Sequence, residues 1–235
     1  MMHGPVGIFT FRPHIEKFSF DPLNDVLPVS LTCGFADALA VGPMVPASVK
    51  SVADFLEWSR ANPKLASFGS PGVGTPMQLI GTVLGRAGGV ALTHVPYRQG
   101  AVQDLIGGQL ASLIIIESAL VPFVNDGKLR VLATSGTERS PSFPNAPTFV
   151  ELGYKDLVVR DWWAMFLPAK TPADMVRRLA DEVHVALKRP DLQEMLVSNG
   201  LRPASSTPAE LGALMKREYE HWAEVIRATG FTATS

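Results

Sequence analysis

One cysteine, Cys33, stands in the whole chain of 235 residues, so no disulfide closes within it and no thiolate cluster holds a metal. Cys33 lies in the apolar run 29–45, where a thiol is expected to be buried and inert. The five histidines (His3, His14, His94, His184 and His221) are widely spaced, and neither H-x-x-x-H nor H-E-x-x-H occurs, so no metal is expected. An excess of one charge is lacking too. Lys and Arg number 21 against 22 Asp and Glu, a formal net charge of −1, and no basic patch is interleaved with aromatics. Such a chain has no long-range field to draw nucleic acid or an acidic membrane. The most apolar window, 110–124, is broken by Glu117 and Pro122 and falls short of the ~20 residues that span a bilayer. Residues 1–6 carry neither a basic n-region nor a long apolar h-region, so no secretory signal is read there.

What is present suffices for a sizeable core: 46% of residues are hydrophobic and 18% charged, enough for one large domain or two small ones. Gly4, Pro5, Gly7 and Pro13 make 4–20 read as irregular, and 26–45 reads as a long extended stretch. Ser51 and Asp54 form a capping-box start for a helix carrying Val52, Phe55 and Leu56, which Asn62-Pro63 ends. A strand at 66–68, a helix over 76–86, a buried strand at 91–95 and a helix over 101–106 follow. Then come a strand at 110–116, a helix over 119–125 and a strand at 129–134, with glycines at most boundaries. Strands separated by single helices indicate parallel α/β structure, with ligand loops at the carboxyl ends of strands. A second long extended stretch, 158–167, precedes helices over 173–188, 190–198 and 208–229. The two extended stretches suit hinge strands between two lobes, a central one of 46–157 and an outer one of 1–45 with 158–235.

The chain is organised around residues 67–76, Ser67-Phe68-Gly69-Ser70-Pro71-Gly72-Val73-Gly74-Thr75-Pro76. Thr75 suits the N-cap of the following helix, and Pro76 its first position, where a missing N–H costs nothing. Glycines permit a tight turn, and first-turn amides with the helix dipole favour an anion. Ser70, Gly72, Val73, Gly74 and Thr75 are therefore candidate ligand-binding residues, the two hydroxyls serving as additional donors. The alternative is a plain turn between strand and helix. The loop is neither G-x-x-x-x-G-K-[ST] nor G-x-G-x-x-G, and it misses G-x-S-x-G. Trp162 and Trp163 occupy successive strand positions, so at most one of them faces a ligand. Arg98 is either a carboxylate fork or a solvated arginine, and His94 reads as a strand-core residue. No nucleophile–base constellation is apparent, so no catalytic residue is assigned.

Taken in order, Phe68–Gly72, His94–Arg98, Asp104–Gln109, Gly127–Ala133, Arg139-Ser140, Pro144–Thr148, Glu151–Gly153, Trp162 and Pro168–Pro172 resemble the substrate-binding proteins of tripartite tricarboxylate transporters, the Bug family. Each motif alone is ordinary, while the ordered set is specific and spans nearly the whole chain. The resemblance implies an α/β, two-lobed periplasmic-binding-protein type II fold with two crossover strands. It implies an extracytoplasmic, periplasmic monomer that captures a small carboxylate or dicarboxylate and passes it to membrane permease subunits, without a cofactor or nucleic acid. Ser70–Thr75 match the central-lobe side of the family's site. Val6, Gly7 and Ile8 match a short outer-lobe loop, and Trp162 matches a further ligand-binding position. Two departures stand out. The family starts with a signal peptide and a β-α-β-α portion bearing a Pro-Gly-Gly loop. The sequence as given starts after both, so the first βαβα part of the outer lobe is expected to be missing. Many relatives also place an aspartate, suited to a ligand amino group, near Ile115. Isoleucine there favours a non-amino carboxylate, with Glu117 expected to face solvent. The alternatives are an enzyme that anchors an anion on the glycine loop, a cytosolic sensing domain, or a truncated fragment that binds nothing.

Overall fold

The apolar stretch after Asp25 breaks at Ala36 into β2 (Val26–Phe35) and β3 (Asp37–Val41), and the chain leaves one structural unit for another at this break. The computed structural model describes residues 1–157, 159 and 161–232. Contacts divide it into a first unit of Met1–Phe35 with Asp161–Thr232 and a second that runs over Ala36–Arg160. β3, placed before a boundary at 45/46 by the sequence reading, hydrogen-bonds strands of the second unit.

The first unit holds an antiparallel sheet in the order β1-β8-β2-β9, with β1 at Met2–Pro5, β8 at Asp161–Pro168 and β9 at Arg202–Pro203. Register shifts between Pro28 and Ser30 and between Leu31 and Cys33 let neighbouring parts of β2 feed different cores. Leu31 joins Val6, Phe9, Ala164, Phe166, Leu211 and Met215, whereas Val29 packs with Leu167, Val176 and Ala180. Helix α6 (Ala173–Leu187) buries Val176, Ala180, Val183 and Leu187, a stripe at helical spacing. Helix α7 (Pro190–Ser198) follows it. Helix α8 (Pro208–Thr229) starts on a Thr207–Glu210 capping box with Pro208 in its first turn, and stops at left-handed Gly230. Residues 4–20, read as irregular, instead include part of β1 and a short helix α1 (Gly7–Thr10). Their order is set from a distance, by β8 pairing with β1 and by the Val6 N–H donating to the Trp162 carbonyl at 2.8 Å.

The second unit has a five-stranded sheet in the order β5-β4-β6-β3-β7. Its remaining strands are β4 (Ser67–Ser70), β5 (Thr93–Pro96), β6 (Ser112–Ile116) and β7 (Arg130–Thr134). Helices α2 (Val52–Ala61), α3 (Pro76–Ala87), α4 (Ala101–Ile106) and α5 (Val121–Asn125) alternate with them. β4 runs parallel to β5 and β6, as parallel α/β structure implies, but β3 is antiparallel to both β6 and β7, so the sheet is mixed. β3 enters this sheet directly from β2 of the other one and runs against both of its neighbours, β6 and β7. β5, expected to be buried, is an edge strand whose residues are half-buried or exposed. The core holds Ala38, Ala40, Leu105, Leu110, Leu113 and Leu129.

Candidate functional site

The glycine loop leaves the carboxyl end of β4 and enters α3, as its sequence predicts. Thr75 is the N-cap, with extended backbone and its Oγ1 accepting the Gln78 N–H at 3.2 Å, and Pro76 occupies the first turn. Gly74 has φ of 69°, a left-handed conformation that a side chain would strain. Its N–H donates to Gln78 Oε1 at 2.7 Å, so the helix holds the loop through a side chain one turn in. Gln78 is buried, and sequence reasoning missed its role. A glutamine four residues after a loop glycine was the available signal, but only the loop conformation gives it meaning.

The two hydroxyls behave differently from the expectation. Ser70 Oγ and Thr75 Oγ1 each donate to the Gly72 carbonyl at 3.0 Å. A hydroxyl has one hydrogen, so neither is available as a ligand donor while these bonds hold. Ser70 also lies 2.8 Å from His94 Nε2, because parallel pairing places β5 beside β4 with Phe68 opposite His94. Which of the two donates follows the imidazole tautomer: where the Ser70 hydrogen lies on the Gly72 carbonyl, His94 is the donor. Burial holds the His94 pKa below its usual value and keeps the ring neutral. The ring stacks on Phe68, with centroids 4.9 Å apart. Tyr97 braces the other flank: its N–H donates to Ser70 O at 2.9 Å and its hydroxyl to Asp104 Oδ2 at 2.9 Å. Burial and the Asp104 carboxylate push the Tyr97 phenol up to about 12.

Among the described residues, the main-chain N–H groups of Val73 and Thr75 have no hydrogen-bond partner, and Val73 is half exposed. They lie where the dipole of the twelve-residue α3 is positive. Ser70, Gly72, Val73, Gly74 and Thr75 thus form one internally hydrogen-bonded turn that leaves two amides without a partner. Val6, Gly7, Ile8 and Trp162 form a separate patch in the first unit. Val6 is buried, Ile8 and Trp162 pack on the same cluster, and Trp162 spreads its ring over Gly34, where a Cβ would meet it at 2.6 Å. Trp163 is 39% exposed and meets His3 edge-on. Arg98 is exposed and belongs to no ion pair among the described residues. Glu117, expected to face solvent, is buried, with its N–H on the Ala36 carbonyl. The turn into the short helix after β6 folds it inward. Cys33 is buried as expected, and burial raises its pKa. Among the described residues, no cluster of three potential metal ligands occurs, and no helix is long and apolar enough to cross a membrane.

An α/β unit with a glycine loop leading into a helix and a second unit with an antiparallel sheet, the chain crossing from one to the other at two points, define the class of type II periplasmic-binding folds. The chain belongs to the tripartite tricarboxylate transporter family receptors, whose family model matches residues 5–231. It is 32% identical over 225 residues to a UPF0065 protein in the tcbD-tcbE intergenic region of Pseudomonas sp. (strain P51), covering 94% of this chain. It spans 66% of that relative's length, just under two thirds. The solved periplasmic binding protein BugD superposes with a TM-score of 0.86 at 27% identity, covering 97% of this chain and 77% of BugD. Rpa4515 of R. palustris, solved with adipate, superposes at 0.87 with 26% identity, covering 98% and 77% of the two chains.

Proposed function

We propose that this chain is a solute-binding protein that holds a carboxylate of a small, non-amino organic acid on the Ser70–Thr75 loop. It would act in the periplasm and deliver the solute to permease subunits of a tripartite tricarboxylate transporter. The observation that carries this reading is the pair of unpartnered amides of Val73 and Thr75, presented at the start of α3 by a loop braced from within. A relative that binds adipate supports a carboxylate as the class of ligand. Ile115, half-buried in β6, offers no partner to an ammonium group, which supports a non-amino acid.

A thermal-shift titration tests the reading. Adipate at a hundred times its dissociation constant adds ~2.7 kcal/mol of stability by linkage. Val73→Pro removes one ligand amide and abolishes the shift, whereas Val73→Ala keeps the amide and the shift. Equal shifts in wild type and a folded Val73→Pro variant overturn the site. Tighter binding of glutamate than of adipate overturns the non-amino assignment.

A further inference from the structure

The second unit carries another concave surface, at the β7 edge of its sheet, three strands across from the strand that leads into the glycine loop. Arg130 at the start of β7 shares a row with Val41, Ser112 and Phe68, so three strand spacings of ~4.8 Å, through β3 and β6, separate it from β4, which ends at Ser70. A groove of about 430 Å³ opens there beside Arg130 and Val131, a size within the range of small-molecule sites. β7 is the edge of the sheet, and residues 142–146 form the far wall in turns rather than as a paired strand.

Charge in this groove is one-sided. Arg130 Nη2 donates to the carbonyls of Val45 and Pro46, at 3.0 and 2.9 Å. Carbonyl oxygens fix the guanidinium plane without cancelling its charge. The turn that Arg130 grips leads directly to Lys50, which also lines the groove. Neither cation belongs to an ion pair among the described residues, and no aspartate or glutamate lines the groove. Two acids lie just outside the lining: Asp54 keeps its charge while it accepts the N–H groups of Lys50 and Ser51, and Asp126 pairs with Lys128. Asn125 and Asn145 add amide donors, while Val131, Phe143 and Ala146 supply an apolar wall.

We propose that this groove is a second ligand site, for a small carboxylate with an apolar body, its head between Lys50 and Arg130 and its body on Val131 and Phe143. It stands independently of the glycine-loop reading, because it shares no residue with that loop.

Benzoate is the probe and benzyl alcohol its uncharged counterpart, followed by amide chemical shifts of the labelled full chain. Saturable shifts at Asn125, Val131 and Asn145 with benzoate, and none with benzyl alcohol, are expected. Lys50→Glu weakens that binding at least tenfold, and Lys188→Glu, an exposed change of equal charge in the first unit, leaves it unaltered. Benzoate shifts confined to residues 72–75 would belong to the loop and would overturn the groove. So would equal affinity in wild type and Lys50→Glu, or equal shifts with benzyl alcohol.

Discussion

Replacing Glu218 by glutamine should stabilise the protein in alkaline solution and do almost nothing in acid. Glu218 lies on α8 with its Oε2 3.4 Å from Thr10 Oγ1 of α1. Burial raises its pKa to about 7 from 4.5, the Asp161 carboxylate adds to the rise, and the Thr10 hydrogen bond and Arg217 oppose it. The sign follows from linkage. Below about 4.5 the carboxyl is protonated in both folded and unfolded chains, and its favourable contribution is complete. As pH rises through 7 the folded state must ionise a shielded acid, and that contribution is lost. A shift from 4.5 to about 7 corresponds to roughly 3 kcal/mol at full shielding. The residue is only half-buried, so solvent screening reduces the expected gain to about 2 kcal/mol at pH 8. Urea unfolding of wild type and Glu218→Gln at pH 5 and pH 8 measures it directly. Stabilisation of equal size at both pH values, or a loss at pH 8, would refute the electrostatic account. Thr10→Val supplies the companion: removing a donor to the charged form should make wild-type behaviour at pH 8 worse, not better.

His94 should show the opposite slope. Its depressed pKa means that its contribution is complete above 6.5 and lost as pH falls below that, so the destabilisation caused by His94→Gln in urea shrinks between pH 8 and pH 5. Thr75→Ala removes the cap of α3 and should cost about 1 kcal/mol by calorimetry, together with measurable affinity for adipate. At Gly81 any added side chain runs into the Phe68 ring, so Gly81→Val should lower stability by about 1–3 kcal/mol. An unchanged unfolding midpoint would show that the ring has room to move.

Features set by neighbours in the chain were legible in the sequence. The Ser51–Asp54 and Thr207–Glu210 boxes and the Thr75-Pro76 helix start all form where their residue types predict, because a cap is decided within four residues. Features set by distant partners were not. β1 exists because β8 accepts it, β3 takes its place between β6 and β7 by pairing with strands far along the chain, and Glu117 is buried by the turn that follows β6. The glycine loop shows both cases. Its shape could be read from residues 67–76, but the hydroxyls' allegiance to Gly72 and the Ser70–His94 bond depend on the conformation and on strand register.

Gly72 carries a wider consequence. Its single carbonyl gathers two hydroxyls, so the turn satisfies itself internally and presents only bare peptide to whatever arrives. Peptide amides sense negative charge but discriminate poorly between one acid and another. A socket built this way can stay unchanged while surrounding side chains are altered, and a new solute preference could then arise by substitution without disturbing the element that grips the charge.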